Sequence, residues 1–308
     1  MNQRSAHACL LGAAFIYGAN YCIAKSVMPE PLVANAFIVL RATGAAVLFW
    51  IIAAKKITIP DTSDWWRLIL CALTGVCINQ LCFFNGLALT SPINSSIMMT
   101  SNPILVMLIS ALMLRQRITL LRVIGIICGA SGAILLLTSQ YGTMQGDSTK
   151  GDIFILINSI SWAFYLVLVV PLMKKYHPTV VAAWVFLIGS FMVFPVGADK
   201  LSEIEWSQLS HWQWFCLIYV VLGTTFLAYL LNMLAVSRLS PTTVSSYIYL
   251  QPFLAGIFSR IFDRILGIPF DSSINPVKAI SVILIFLGVY LVSRTDIKRV
   301  DRFNRVET

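Results

Sequence analysis

Residues Phe83 to Pro103 read FFNGLALTSPINSSIMMTSNP, and residues Asn232 to Pro252 read NMLAVSRLSPTTVSSYIYLQP. Pro92 falls on Pro241 and Pro103 on Pro252, both at an offset of 149, with Ser96 on Ser245 between them. Each stretch covers the end of the third and the first half of the fourth of five consecutive apolar segments, so a five-segment unit is written twice. If every segment crosses a bilayer, the odd number dictates the geometry. The second copy then enters from the side opposite to the first, the inverted arrangement that builds sites near the membrane midplane.

Composition agrees with this reading. Hydrophobic residues make up 58% of the 308-residue chain and charged residues 11%, against about 45–50% and about 25% in soluble domains. The net charge of +9 does not point to nucleic acid. The basic residues punctuate the ends of apolar runs, as membrane anchors do, and form no patch interleaved with aromatics. The seven cysteines, Cys9, Cys22, Cys71, Cys77, Cys82, Cys128 and Cys216, lie in or beside apolar runs with no Cys-x-x-Cys pair, and are read as small packing residues.

Ten apolar segments run along the chain, at about 7–27, 33–54, 66–89, 93–114, 120–139, 152–172, 179–198, 212–236, 242–262 and 276–294. Each is long enough for a helix across about 30 Å of hydrocarbon. The expected fold is an all-α membrane protein of ten transmembrane helices arranged as two inverted five-helix repeats. The first repeat spans 1–140, a polar linker 141–151, the second repeat 152–294, and a charged cytoplasmic tail 295–308 that should be solvated and frayed. With the N-terminus in the cytoplasm, fifteen Lys and Arg fall on the cytoplasmic side and six on the other, leaving Arg41 inside a span. That bias places both termini in the cytoplasm.

The repeat extends past its clearest stretch. Segment 1 carries Tyr17-Gly18-Ala19-Asn20 and segment 6 carries Trp162-Ala163-Phe164-Tyr165. Polar residues concentrate in segments 3, 4, 8 and 9: Asn79, Gln80 and Asn85; Ser96, Thr100 and Asn102; Thr224, Thr225, Tyr229 and Asn232; Ser245, Tyr247, Tyr249 and Gln251. Segments 2, 5, 7 and 10 are nearly pure Leu, Ile, Val, Ala, Phe and Gly in their middles. Polar groups at membrane depth face a cavity or another helix, so segments 1, 3, 4, 6, 8 and 9 should enclose the polar interior. Pro103 and Pro252 are the expected hinges, each freeing a carbonyl near Met99 or Ile248. Arg41 is weighed first as structural glue and second as a ligand for an anionic group of the substrate.

These features together resemble the EamA type of the drug/metabolite transporter superfamily. The match rests on Tyr17-Gly18-Ala19-Asn20 with the later Lys25, on Arg41, on Gly86-Leu87-Ala88-Leu89-Thr90-Ser91 before Pro92, and on Asn102-Pro103. Tyr17 stands where the family more often has Trp. The family's Leu-Gly-Glu-Arg after segment 4 stands as Leu114-Arg115-Gln116-Arg117, so its carboxylate is gone.

The resemblance implies a secondary transporter, more often an exporter, in a bacterial-type inner membrane. It would move a small organic metabolite, such as an amino acid, by alternating access. Substrate-lining residues are then Tyr17, Asn20, Asn79, Ser96, Asn102, Trp162, Tyr165, Ser245, Tyr247, Tyr249 and Gln251. Alternatives are a lipid or hydrophobic-drug exporter, and a non-transporting membrane-embedded binding or accessory protein. The expected partners are the substrate and membrane lipids, without nucleic acid. Oligomeric state is left open, a monomer being compatible with ten spans. No cofactor, metal or catalytic residue is expected, because no nucleophile–base pair, phosphate loop or ligand cluster is present. Segments 1 to 8 hold no acid in their cores, which argues against a buried carboxylate relay. Asp263 is the one acid near the membrane.

Overall fold

In hydrocarbon a backbone N–H or C=O has only the chain itself to bond, and a single segment satisfies all of its own groups as a helix. The computed structural model describes residues 2–25, 34–89, 98–141, 149–202, 204, 206–251, 253–254, 256–258, 261 and 276–304, and among these no strand occurs. Ten helical segments follow one another: α1 (Gln3–Lys25), α2 (Ala34–Ala53), α3 (62–89), α4 (Asn102–Met113), α5 (Leu120–Tyr141), α6 (Thr149–Lys175), α7 (Pro178–Leu201), α8 (His211–Val236), α9 (Pro241–Ser246, continued by a 3-10 turn at Tyr247–Tyr249) and α10 (Pro276–Asn304).

Among the described residues five stretches are long and apolar enough to cross a membrane: Asn35–Ala53, Thr62–Leu87, Thr149–Lys175, Pro178–Leu201 and His211–Val236. Asn102–Met113, Leu120–Leu135 and Ala279–Arg294 are apolar but shorter. The bundle wears its large hydrophobes outside, with Val47, Ile51, Leu112, Ile127, Phe191 and Ile283 each more than half exposed. A surface of that kind suits lipid rather than water.

The helices pair as α1 with α8, α2 with α7, α3 with α6, α4 with α9 and α5 with α10. This set maps onto itself when every helix is exchanged for the one five places along. Three pairs merely swap members, while α1–α8 becomes α6–α3. The duplication seen in sequence therefore extends to the packing. Small residues bring the pairs close. A Cβ on Gly132 of α5 would stand 2.7 Å from the Ser281 carbonyl of α10, and one on Gly288 would stand 2.5 Å from the backbone of Gly129.

Two irregularities are also duplicated. Helix α3 contains a π stretch at Leu73–Cys77 and α8 contains one at Val220–Leu227. The offset of 149 lays 73–77 on 222–226, with Leu73 on Leu222 and, further upstream, Trp65 on Trp214. Each π turn holds one residue more than an α turn and loosens the carbonyl ladder around it.

The second irregularity precedes the prolines. Met98 and Met99 are helical, Thr100 and Ser101 form a turn, and α4 starts afresh at Asn102 with Pro103 in its first turn. The sequence predicts a bend within one helix at Pro103. The structure instead ends one helical piece and begins another, because proline supplies no N–H and its ring excludes the carbonyl four residues earlier. Ser101 bridges the break, its N–H and hydroxyl both donating to the Met98 carbonyl, at 3.0 and 2.6 Å. In the second half the 3-10 turn Tyr247–Tyr249 stands at the equivalent place, so the expected continuous helix over 242–262 is interrupted there too. Pro252 lies outside the described residues.

One further expectation is corrected. The α10 backbone stays helical to Asn304 instead of fraying after Arg294. No proline or glycine occurs between 295 and 304 to stop it.

At one end the two halves are tied by polar contacts. Lys175, at the end of α6, ion-pairs with Asp61 and with Asp64, the latter at 2.6 Å. The Tyr176 hydroxyl donates to Asp64 at 2.8 Å and accepts from the Asp61 N–H at 2.9 Å. Nearby, the Trp50 indole donates to the Ala183 carbonyl and the Trp184 indole to the Thr58 carbonyl, both at 3.1 Å.

Candidate functional site

The π stretch of α3 leaves carbonyls that the second half occupies. Ser161 of α6 donates to the Thr74 carbonyl at 2.6 Å, and Tyr229 of α8 donates to the Gly75 carbonyl at 3.0 Å. One turn on, the Asn158 amide of α6 donates to the Asn79 carbonyl at 2.8 Å. Gly75 is required by this approach, since a Cβ there would meet the Tyr165 ring at 2.4 Å. In the second half, the hydroxyls of Thr224 and Thr225 both donate to the Val220 carbonyl at 2.8 Å.

Tyr229 is the centre of the site. Its hydroxyl also lies 3.3 Å from Asn79 Oδ1, and its ring meets Trp162 edge-on at 5.4 Å, Phe186 at 5.0 Å and Tyr165 at 6.4 Å. Gln80 faces the same hydroxyl. It is buried, and neither polar atom of its amide completes a hydrogen bond. On α1, Tyr17 shares a hydrogen bond with Asn232 of α8, and Asn20 keeps an unpartnered, buried Oδ1.

Arg41 enters from α2 and is buried. Its Nε donates to the Thr225 hydroxyl at 2.8 Å. Its guanidinium lies 4.6 Å from the Phe84 ring centre and 5.6 Å from that of Phe37. The phenols of Tyr17 and Tyr229 stand within electrostatic range of it. Arg41 therefore does not reach out toward an interface, one of the roles weighed from sequence.

Five sequence-predicted residues, Tyr17, Arg41, Asn79, Trp162 and Tyr165, thus gather around Tyr229, and Asn20 lies about one turn beyond Tyr17 on α1. Tyr17, Asn20, Asn79 and Trp162 remain partly exposed although they sit mid-helix. Others lie elsewhere. Tyr249 is fully buried with its ring laid on Gly129 of α5. Tyr247 meets His7 Nδ1 at 2.8 Å. Ser245 donates to the Thr242 carbonyl at 3.0 Å within its own helix. Gln251 and Asn102 are buried at the broken ends of α9 and α4, beside Pro103. Ser96 and Asp263 lie outside the described residues.

Tyr229, Thr225, Asn232 and Gln80 were legible from sequence only as general polar lining, and Asn158 was missed. The repeat names the equivalent positions, and the structure shows which of them meet. At the offset of 149, Gln80 corresponds to Tyr229. Equivalent positions that meet each other lie on the axis relating the two halves, which marks the middle of the molecule.

Comparison with known proteins adds three findings. The profile of the EamA-like transporter family matches residues 4–138 and 149–294. An uncharacterized transporter of Bacillus subtilis (strain 168), YyaM, is 24% identical across 100% of this chain and 99% of its own length. WAT1-related protein At2g40900 of Arabidopsis thaliana is 24% identical across 90% of this chain and 75% of its own, and an uncharacterized inner membrane transporter of Escherichia coli (strain K12), YhbE, 26% across 64% and 61%. Among solved structures, a crystal structure of a protein 17% identical in sequence superposes with a TM-score of 0.74, covering 96% of this chain and 98% of the other. At that identity the likeness concerns the fold alone.

Proposed function

The chain belongs to the EamA-like transporter family, and from that membership we propose that it carries a small organic metabolite, an amino acid or a similar solute, across a bacterial-type inner membrane by alternating access. In this reading all ten helices span the bilayer as two inverted five-helix repeats. Both termini face the cytoplasm, lipid surrounds the bundle, and the direction is export. One observation carries the proposal: a cluster of amide, hydroxyl and aromatic groups from both halves converges on Tyr229, partly exposed, at the centre of an apolar bundle. Groups of that kind at such depth are costly unless a polar solute visits them. A lipid or hydrophobic drug would leave those amides unpaired, which disfavours that alternative.

Support for alternating access comes from the duplicated π stretches and the broken α4 and α9. Irregular backbone beside a central site is where helices of transporters change conformation. The test is flux of radiolabelled amino acids in proteoliposomes made from the full chain. We expect saturable flux that falls strongly in Asn20→Leu and in Tyr229→Phe at unchanged membrane levels. Binding without flux for every solute tried would leave an accessory protein and remove the transporter reading.

A further inference from the structure

Arg41 is a permanent cation held inside the bundle, and what surrounds it is incomplete as a charge partner. Among the described residues no carboxylate pairs with it, and the cores of segments 1 to 8 contain no Asp or Glu that could. Its contacts are one hydroxyl, two ring faces and two phenols in electrostatic range. A buried charge left without a counter-ion is strongly unfavourable. The geometry nevertheless holds Arg41 firmly: Thr225 accepts from Nε while its own hydroxyl hydrogen is committed to the Val220 carbonyl. With Nε engaged and two ring faces alongside, no hydrogen bond to a described residue occupies the two terminal nitrogens, and the phenols of Tyr17 and Tyr229 lie within electrostatic range of the guanidinium.

We propose that these terminal nitrogens bind a carboxylate of the transported solute, which is the missing counter-ion of Arg41; the inference rests on the transporter reading above and narrows its substrate class. A planar guanidinium with two adjacent N–H groups matches a carboxylate in bidentate fashion. A dianion such as phosphate would leave a net negative charge buried, with no second cation described beside it. The rest of the solute lies against groups that are already waiting. Buried Gln80 faces the Tyr229 hydroxyl without completing a well-formed hydrogen bond, and Asn20 Oδ1 has no donor. An amino acid's ammonium suits those oxygens and the adjoining Trp162 face. Tyr17 and Asn20 are partly exposed, while Arg41 itself is buried.

The experiment uses the purified full chain and thermal unfolding as the readout. The probes are the standard amino acids together with propionate, lactate and benzoate, each compared with its primary carboxamide. We expect at least one acid to raise the unfolding temperature while its amide does not. Arg41→Gln should weaken that binding by at least about 30-fold, and Arg41→Lys should retain part of it. The proposal is overturned if no acid protects, if amides protect as well as acids, or if Arg41→Gln binds undiminished. Should Arg41→Gln fail to fold, the comparison of acid with amide on the unmodified chain still decides. The two readings separate cleanly. An acid that binds through Arg41 without flux removes the transporter reading and keeps the anchor. Flux that ignores Arg41→Gln keeps the transporter reading and removes the anchor.

Discussion

Arg115 is the one non-glycine residue with positive φ among those described, at 50°. It follows α4, at the position where the resembling family has glycine, and Gln116 N–H reaches back across it to the Ser110 carbonyl at 3.4 Å. Left-handed backbone costs an L-residue about 1–2 kcal/mol, while glycine loosens the unfolded chain by about 0.5–1 kcal/mol. Arg115→Gly should therefore stabilise the protein by about 0.5–1 kcal/mol, read as a rise in the thermal unfolding midpoint in detergent. An unchanged or lower midpoint would mean the arginine side chain offsets its own strain. The neighbouring departure from the family is milder than the sequence implied. Gln116 Oε1 accepts from Arg122 at 3.4 Å, and Arg122 also donates to Ser240 in the second half at 3.2 Å. The amide keeps the acceptor and gives up only the charge. At this scale the sequence singles out residue types intrinsically costly in lipid, and the structure buries Arg41 and Asn20 Oδ1 inside the bundle. Tyr247 and Tyr249 lie apart from the cluster around Tyr229, because a tyrosine ring is apolar enough to pack against helices, and Gly129 leaves the space for one.

Among the elements, α5 and α10 form the closest pair, and their contact depends on missing side chains. Gly288→Leu would force a branched side chain against Gly129 backbone 2.5 Å away. Overpacking of a rigid helix contact costs about 1–3 kcal/mol or more. We expect reduced folded protein in the membrane for Gly288→Leu, partly restored by growth at lower temperature. Normal yield and midpoint would show that the pair can separate freely. The spans themselves were readable because twenty or so apolar residues admit few structures in hydrocarbon. The π stretches were not. LTGVC and VVLGTTFL differ little in propensity from their helical surroundings, and the extra residue per turn is selected by the hydroxyls of Ser161 and Tyr229 that bind the loosened carbonyls. That is a tertiary effect, invisible to local pattern. Proline did announce the interruption in α4, although as a bend rather than a restart.

For the molecule as a whole, the joint between halves near Asp64 and Lys175 includes a group that titrates near neutrality. His177 caps the start of α7 by accepting from the Thr179 N–H, and its Nε2 lies 3.2 Å from Lys56 Nζ. Burial, and then the adjacent Lys56 charge, hold its imidazole below the ordinary value of 6.5. The sign follows from linkage. The unfolded chain takes up the proton more readily, so stability is full above about pH 6.5 and declines as pH falls below it. Between about pH 7.5 and about pH 5.5 the unmodified protein should lose more thermal stability than His177→Asn, which retains a capping oxygen. Equal losses would place the acid sensitivity elsewhere. The halves were legible in sequence from the offset of 149 alone, and their packing follows the same exchange of helices. Which polar faces meet was not legible, since the offset names equivalent positions without saying which lie on the axis.

The paired π turns also bear on ancestry. An extra residue inserted into only one half after duplication would change the offset on either side of it. Yet Trp65 on Trp214, ahead of the π turns, and Pro103 on Pro252, beyond them, keep the same 149. That is the spacing a bulge already present before the doubling would leave. If the five-helix ancestor carried it and assembled as an antiparallel pair, the groups now met by Tyr229 were once supplied by a second, identical molecule.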